Sequence, residues 1–366
     1  MTLADPLRGV LVGAGSMGRA WRDVLEAAPD VELAGIADLD GSTARAAADA
    51  LGRPVPVGTD AVALAASTGA RAVVDATVPE AHHPVTTEAL FAGLDVLGEK
   101  PAADTVAKAL SLAAASQVTG RLFMVSQSRR WNPQLFALRA MAEDLGALGT
   151  LTTEFFRAPH FGGFREEMAH PLLVDMAIHA FDAARFVLGA EPVSAYCETH
   201  DPPWSWYAGD AAATAVFAFD GGARYTYTGS WCSPGAQTSW NGVWRLSAEK
   251  GSAHWDGDHE PVLDSETERT PRPPGLFSGI EGALLVFTDA LRTGVPPMGE
   301  VHENVLSLAM VEAAVRSADT GQRVLLDDVL ADAHAEALRT ETSPDVRDAL
   351  ASWPSVRAVL TGAGPR

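Results

Sequence analysis

Asp175 and His179 are the side chains whose types and spacing point most directly to proton chemistry. They lie four residues apart in the segment 171–188, whose pattern predicts a long amphipathic helix, and residues at that spacing share a helix face. A carboxylate beside an imidazole orients the ring and stabilises its protonated form. The pair could therefore take the proton of an alcohol while a hydride leaves the carbon. A helix-surface ion pair is the alternative, and no third ligand for a metal is evident.

Lys100 follows the fifth predicted strand, in the segment Glu99-Lys100-Pro101. The carboxyl ends of strands in a parallel sheet face the crevice in which ligands bind. A lysine there could polarise a substrate hydroxyl or stabilise an alkoxide. Only three of the 27 basic residues are lysines, and a compact ammonium is not interchangeable with a guanidinium. The alternative is a surface ion pair with Glu99.

A glycine-rich turn, Gly13-Ala14-Gly15-Ser16-Met17-Gly18, directly follows the first predicted strand. Its glycines permit a tight turn, close approach of a pyrophosphate and close helix–strand packing. Asp38 ends the second strand 20 residues after Gly18, a spacing that suits a carboxylate bonded to ribose hydroxyls. A turn without a ligand is the alternative. Because Leu39-Asp40 follows and no basic residue flanks Asp38, the pattern favours NAD over NADP.

Short apolar runs alternate with helix-like segments through the first third of the chain, which predicts crossover connections and a parallel sheet. After residue 128 the predicted strands mostly follow one another, which indicates a mainly antiparallel sheet. The polar, proline-rich stretch 256–279 is interpreted as a surface loop or lid. Two helices, 280–292 and 303–318, and a helical tail complete the pattern.

Composition limits the class of protein. The 366 residues suggest roughly two domains. The net charge of −20 makes nucleic acid and anionic membranes poor partners. Two cysteines are too few for a disulfide scaffold. Since neither a signal segment nor an apolar run of ~18 residues is apparent, we expect a soluble, cytoplasmic protein.

Aromatic residues concentrate late in the chain: six of the nine tryptophans lie between Trp204 and Trp255. In the strand 223–231, Tyr225 and Tyr227 share one face because side chains alternate along a strand. Aromatic faces stack on the C–H faces of sugars, but they are also typical of cores and oligomer interfaces. We expect most of them in a core or interface, and one or two in a substrate pocket.

In order and spacing, the glycine-rich turn, Glu99-Lys100-Pro101 and the Asp175/His179 pair resemble the glucose–fructose oxidoreductase/inositol dehydrogenase/MocA (Gfo/Idh/MocA) family. Linking segments add to the likeness, which covers roughly residues 8–326: Thr77-Val78-Pro79 with His82, residues 126–131, and residues 317–321. The resemblance implies an α/β protein with a Rossmann domain over 1–128. A second α/β domain with a large, open, mainly antiparallel sheet would span 129–330, followed by a peripheral helical tail, 331–366. The late helices could pack back on the first domain.

The resemblance also implies residue roles. Lys100, Asp175 and His179 become the catalytic set, with His179 as general base. The residues expected at the cofactor are Gly13, Gly15, Ser16, Met17, Gly18, Asp38, Thr77, Pro79, His82, Glu99, Lys100 and Gln127. Those expected at the substrate are Lys100, Arg129, His160, His170, Asp175 and His179. Many members carry a glycine-rich stretch where this chain has His170, which could project into the pocket or simply begin the helix. For His160 a structural role is the alternative.

The resulting prediction is an NAD-dependent dehydrogenase acting on a secondary hydroxyl of a sugar, sugar derivative or cyclitol, without a metal. A homodimer or homotetramer is expected from the family. Two other classes stay open at this point. One is an NAD-dependent glycosidase or eliminase that oxidises its substrate transiently; the other is a non-catalytic NAD-binding sensor.

Overall fold

The computed structural model describes residues 6–265 and 278–362. The strands are β1 (Leu7–Val12), β2 (Val31–Ala37), β3 (Val57–Gly58), β4 (Ala72–Asp75), β5 (Asp95–Glu99), β6 (Phe123–Ser126), β7 (Leu148–Phe156), β8 (Pro192–His200), β9 (Ala212–Phe219), β10 (Arg224–Ser230), β11 (Val243–Ala248), β12 (Gly251–Trp255), β13 (Val262–Asp264) and β14 (Val324–Leu325). The α-helices are α1 (Ser16–Ala27), α2 (Gly41–Asp49), α3 (Ala61–Thr68), α4 (Pro79–Phe91), α5 (Val106–Thr119), α6 (Pro133–Asp144), α7 (Ile178–Leu188), α8 (Gly279–Thr293), α9 (Val301–Thr320), α10 (Leu326–Thr340), α11 (Pro344–Ser352) and α12 (Val356–Leu360). No helix within these ranges is long and apolar enough to cross a membrane.

The chain divides into two compact units. Unit 1 comprises residues 1–128, 280–305 and 331–366, and unit 2 comprises residues 129–279 and 306–330. Segments 280–305 and 331–366 are grouped with unit 1; the sequence analysis placed 280–305 in the second domain, with the late helices free to pack back on the first, and 331–366 in a peripheral tail. The tail is tied down in unit 1, because the indole of Trp353 donates to Gln117 Oε1 of α5 at 3.0 Å.

Unit 1 is built on a parallel sheet of six strands in the order β3-β2-β1-β4-β5-β6. Val10, Leu11, Val73, Val96 and Leu97 are fully buried in it. The order reverses between β1 and β4, and such a switch point opens a crevice at the carboxyl ends of the strands. The predicted Rossmann sheet is confirmed.

Unit 2 contains an eight-stranded sheet in the order β13-β12-β11-β7-β10-β9-β8-β14, antiparallel except for the β7–β10 pair. Tyr225 and Tyr227 are fully buried, and their rings pack against Phe181 of α7 at centroid distances of 6.2 and 5.4 Å. The opposite face carries polar side chains such as Thr214 and Arg245. The mainly antiparallel second sheet is confirmed, and the aromatic face of β10 belongs to its core.

The structure corrects three details of the predicted elements. The segment 171–188 is not one α-helix, because Leu172–Ala177 forms a π-helical segment that leads into α7. The sequence analysis omitted β3 with α3, and it omitted the short strands β12 and β14. In the predicted loop 256–279, residues 262–264 form β13, and residues 266–277 lie outside the described ranges.

Candidate active site

The glycine-rich turn between β1 and α1 forms a cradle of backbone groups. Gly13 adopts a left-handed conformation with φ of 88°, and a Cβ there would lie 2.8 Å from the carbonyl oxygen of Ala76. A Cβ on Gly18 would collide with the Gly13 carbonyl oxygen, whereas the space beside Gly15 is open. Gly15 is the N-cap of α1 and provides no side-chain cap. The first-turn amides of α1 therefore face a site suited to a phosphate group.

Asp38 lies at the same turn. Its Oδ2 accepts a hydrogen bond from the Ala14 amide at 2.8 Å, and its Oδ1 accepts one from the Asp40 amide at 3.0 Å. The Asp40 carboxylate is the N-cap of α2 and accepts from the Ser42 amide. Hydrogen bonds led by the Ser42 hydroxyl lower the pKa of Asp40. Asp38 is thus hydrogen-bonded to the backbone of the glycine-rich turn, and Asp40 follows it at the start of α2.

Glu99 and Lys100 occupy the end of β5. Glu99 is buried, and its Oε1 accepts a hydrogen bond from the indole nitrogen of Trp21 at 2.8 Å. Its Oε2 lies 3.3 Å from the Lys100 amide nitrogen, which donates to it. Burial raises the pKa of Glu99, against the Trp21 hydrogen bond and the nearby Lys100 charge. The carboxyl group of Glu99 thereby fixes the start of the Lys100 segment to α1.

His82 joins two loops beside this strand end. One ring nitrogen, Nδ1, lies 2.7 Å from the Pro101 carbonyl oxygen, and Nε2 lies 3.2 Å from the Thr77 carbonyl oxygen. Thr77 in turn donates from its hydroxyl to the buried Asp75 at 2.6 Å. Pro79 is the first residue of α4. In this structure His82 contacts backbone on both sides, so it holds the Thr77 and Pro101 segments together.

Gln127 follows β6 and carries an amide group that lacks a hydrogen-bond partner within the described ranges. Its side chain is buried, and the neighbouring Ser126 hydroxyl is likewise buried without a partner there. Leaving buried polar groups unpaired is costly. These groups at the end of β6 are suited to a ligand that offers hydrogen bonds. Together with the open cradle at Gly15, they fit a dinucleotide in unit 1.

Unit 2 contains a depression that is partly open to solvent. Of the predicted site residues, Arg129 and His179 line it, and Asp175, His160 and His170 are not among the lining residues described. The others that line it are Leu135, Thr153, Phe155, Met176, Ala180, Ala183, Tyr227, Trp240, Asn241, Trp244 and Trp255. The expectation that one or two aromatic residues of the cluster reach a pocket thus understates their number. No carboxylate is among the described lining residues.

The π-helical segment changes the local geometry of the predicted proton-transfer pair. Asp175 lies within it, and His179 lies in the first turn of α7 and is buried. Residues four apart share a face in an α-helix. Because Asp175 lies in the π-helical segment, its spacing from His179 does not by itself place the two side chains on one face. Asp175 Oδ2 accepts from Arg165 Nε at 3.1 Å. Single π-helical turns occur frequently at functional sites.

Two histidines singled out from the sequence have other neighbours. His170 Nε2 lies 3.1 Å from Asp319 Oδ1 of α9. The ring of His160 stacks on Trp206 at a centroid distance of 3.7 Å. Both contacts lie within unit 2.

Asp182, one turn after His179, forms a buried ion pair that the sequence analysis did not anticipate. Arg130 donates to it through two nitrogens, at 2.9 and 2.6 Å, and both side chains are about 1% exposed. Ser307 of α9 donates to the same carboxylate at 2.8 Å, and Arg185 donates to Ser307 at 2.8 Å. These hydrogen bonds connect α7 to the segment that contains Arg129.

The comparisons with known proteins agree with this architecture. Residues 7–127 match the family model for an oxidoreductase family with an NAD-binding Rossmann fold, and residues 139–254 match the Gfo/Idh/MocA C-terminal domain. The chain belongs to the Gfo/Idh/MocA family. The predicted resemblance is therefore confirmed.

Individual members of the Gfo/Idh/MocA family are similar over different lengths. D-apiose dehydrogenase of Paraburkholderia graminis is 27% identical over 94% of this chain and 96% of its own length. Inositol 2-dehydrogenase of Rhizobium meliloti is 33% identical over 50% of this chain and 56% of its own. An oxidoreductase from Agrobacterium radiobacter, solved with NAD+, L-tartaric acid and magnesium, superimposes with a TM-score of 0.78 at 22% identity, covering 88% of this chain and 99% of that one. The names of these relatives are those of oxidoreductases, two of them dehydrogenases of a sugar or cyclitol.

Proposed function

We propose that this chain is an NAD-dependent dehydrogenase that oxidises a secondary hydroxyl of a sugar, sugar derivative or cyclitol. The observation that carries the proposal is the pairing of two features: an open backbone cradle with Asp38 in unit 1, and a buried imidazole, His179, lining a depression in unit 2. The first suits a dinucleotide, and the second suits proton removal from an alcohol. The names of the relatives support this reaction class.

We assign three side chains to the chemistry. His179 accepts the hydroxyl proton, and Lys100 donates a hydrogen bond to the same oxygen as negative charge develops on it. Asp175 supports the protonated imidazole electrostatically. When bound, NAD supplies the acceptor for the hydride that leaves the carbinol carbon. The alcohol thus becomes a carbonyl, and its hydroxyl proton leaves through His179.

Cofactor choice gives a first prediction. A 2′-phosphate beside Asp38 would meet that carboxylate and Asp40, so NAD should bind at least about tenfold more tightly than NADP, which corresponds to about 1.4 kcal/mol. Calorimetric titration with both cofactors measures the ratio. Asp38→Asn, which removes the charge and keeps the shape of the side chain, should reduce the ratio of NAD affinity to NADP affinity. Equal or tighter binding of NADP by the parent protein would refute the role given to Asp38.

A second prediction concerns assembly, for which we propose a homodimer or homotetramer formed through the outer face of the eight-stranded sheet. Its side chains remain exposed or half-buried, as at Thr214, Thr226, Thr228 and Arg245. Flat strand surfaces of this kind suit self-complementary contact. Light scattering at micromolar concentration should give two or four chains per particle. A monomer would contradict the proposal, and Thr228→Arg should weaken the assembly if this face forms it.

The reaction class can be tested by following NADH absorbance with purified protein across aldoses, ketoses, cyclitols, sugar acids and simple glycosides. The proposal expects accumulation of NADH with at least one class of polyol. Conversion of a glycoside without net NADH would instead indicate transient oxidation. Binding of NAD without conversion of any compound would indicate a sensor.

A further inference from the structure

Two arginines contact the same tryptophan in unit 2. Arg129 lines the depression, whereas Arg157, which follows the last residue of β7, is not among the described lining residues. Their guanidinium carbons lie 5.8 and 4.2 Å from the ring centroid of Trp240, which also lines the depression. Each arginine thus stacks against the same indole, an arrangement that holds guanidinium groups in place without neutralising them.

Neither guanidinium has a carboxylate partner among the described residues. The contacts of Arg129 are long: 3.4 Å from Nη1 to Asn241 Oδ1, and 3.9 Å from Nη2 to the Met176 sulfur. Normal N–H···O bonds measure about 2.7–3.2 Å. Arg157 donates from Nη1 to the Thr238 carbonyl oxygen at 2.9 Å, while its buried Nε has no partner in the described ranges.

Within the described ranges, no carboxylate acts on the charge of Arg129. Burial, first, and the positive charge of Arg157 lower the pKa of Arg129 to about 10, with Tyr227 acting in the opposite direction. The guanidinium therefore stays charged at neutral pH. This occurs in a chain with 47 acidic residues and a net charge of −20, none of whose described carboxylates lines the depression. Buried charges are normally paired, so the arrangement is suited to an anion supplied by a ligand.

We propose that the substrate carries a carboxylate that Arg129 binds, with Arg157, on the same indole, adding positive charge beside it; the enzyme is then a dehydrogenase of sugar acids or related hydroxy acids. This inference rests on the proposed function for the reaction and adds the substrate class. A planar carboxylate matches the two parallel donors of a guanidinium. The aromatic walls formed by Trp240 and Trp244 would hold the carbon skeleton through its C–H faces.

Matched pairs of compounds test the proposal. The kcat/KM for NADH formation is measured with glucose against glucuronate and galactose against galacturonate, and with glucose 6-phosphate as the phosphate arm. We expect at least one acid to exceed its neutral counterpart about tenfold or more. Hydrogen bonds to charged groups account for roughly 10- to 100-fold in such comparisons. Arg129→Gln and Arg157→Gln should each lower kcat/KM for the acid by that factor and narrow the acid-to-neutral ratio.

Arg323→Gln is the matched control, because Arg323 is an exposed arginine of the same unit that is not among the described residues lining the depression; it should leave the acid-to-neutral ratio unchanged. Thermal unfolding checks that each variant folds. Arg129→Lys keeps the positive charge but loses the two parallel donors of the guanidinium, so it should retain part of the preference for the acid over the neutral sugar. The inference would be overturned if each neutral sugar were oxidised as well as its acid, or if both glutamine variants kept the parental acid-to-neutral ratio of kcat/KM. Either result would leave the proposed dehydrogenase function standing. Preference for the phosphate would overturn the carboxylate assignment.

A binding measurement separates this inference from the reaction itself. Calorimetry with galacturonate and glucuronate in the presence of NAD should detect binding that Arg129→Gln weakens about 10- to 100-fold. Binding of this kind without NADH formation would contradict the proposed dehydrogenase function but support the anion site at Arg129. Absence of both binding and oxidation for every acid would overturn the inference as well.

Discussion

Replacing His179 with alanine should lower turnover about 10²–10⁴-fold, the range typical for loss of a general base. The imidazole lines the depression of unit 2, whereas the glycine-rich turn and Asp38 belong to unit 1. NAD affinity, measured by calorimetry, should therefore stay close to that of the parent protein. The rate of oxidation by the parent should rise with pH as the base loses its proton, and that limb should disappear in the variant.

Three further variants test whether the loss of turnover is specific to His179. His259→Ala removes an exposed histidine of the same unit, which pairs with Asp256, and should leave turnover unchanged. Lys100→Met should also lower turnover with little effect on NAD affinity, since its assigned role is toward the reacting oxygen. Asp175→Asn should have a milder effect than His179→Ala because it supports the imidazole indirectly. If His179→Ala kept the parental turnover and the same pH limb, another group would be the base, with Lys100 the first candidate.

Removal of the Asp182 carboxylate should produce the largest loss of stability. Asp182→Ala would leave the Arg130 guanidinium charged, about 1% exposed and deprived of two hydrogen bonds. Breaking one half of a buried ion pair typically costs about 3–5 kcal/mol. Because Ser307 also donates to this carboxylate, the loss should extend to the contact between α7 and α9 within unit 2.

Urea unfolding followed by tryptophan fluorescence measures this effect, because seven of the nine tryptophans lie in unit 2. Glu198→Gln is the control: Glu198 is an exposed carboxylate on β8 that accepts from the Tyr196 hydroxyl. Its replacement should change the apparent free energy of unfolding by less than about 1 kcal/mol. An equally small change in Asp182→Ala would show that the buried pair contributes little to the stability of unit 2.

The sequence was most informative where apolar patterns were long and regular. The alternating strands and helices predicted the parallel sheet, and β2 was predicted with its observed bounds, Val31–Ala37. The two-residue strand β3 shows no periodicity that a sequence pattern could reveal. The adjoining helix α3 is eight residues of mostly alanine and valine, which matches several local structures equally well.

The local geometry of the candidate site could not be predicted from the sequence. The motifs indicated the glycine-rich turn, Lys100 and His179 as candidate site residues, but nothing in the spacing of residues 171–188 distinguishes a π-helical segment from an α-helix. The sequence analysis gave Arg157 no role, because its relation to Arg129 depends on Trp240, which lies 83 residues further along the chain. Such contacts arise from sheet order and register, which a single sequence does not specify.

Transfer of deuterium tests the central claim most directly. A sugar or sugar acid that proves to be a substrate is prepared with deuterium on the carbinol carbon and incubated with the protein and NAD, and the products are analysed by mass spectrometry. The proposed dehydrogenase predicts one deuterium in the reduced nicotinamide for each carbonyl product formed. Unlabelled NADH, or conversion of the substrate with no net NADH, would contradict direct and net hydride transfer.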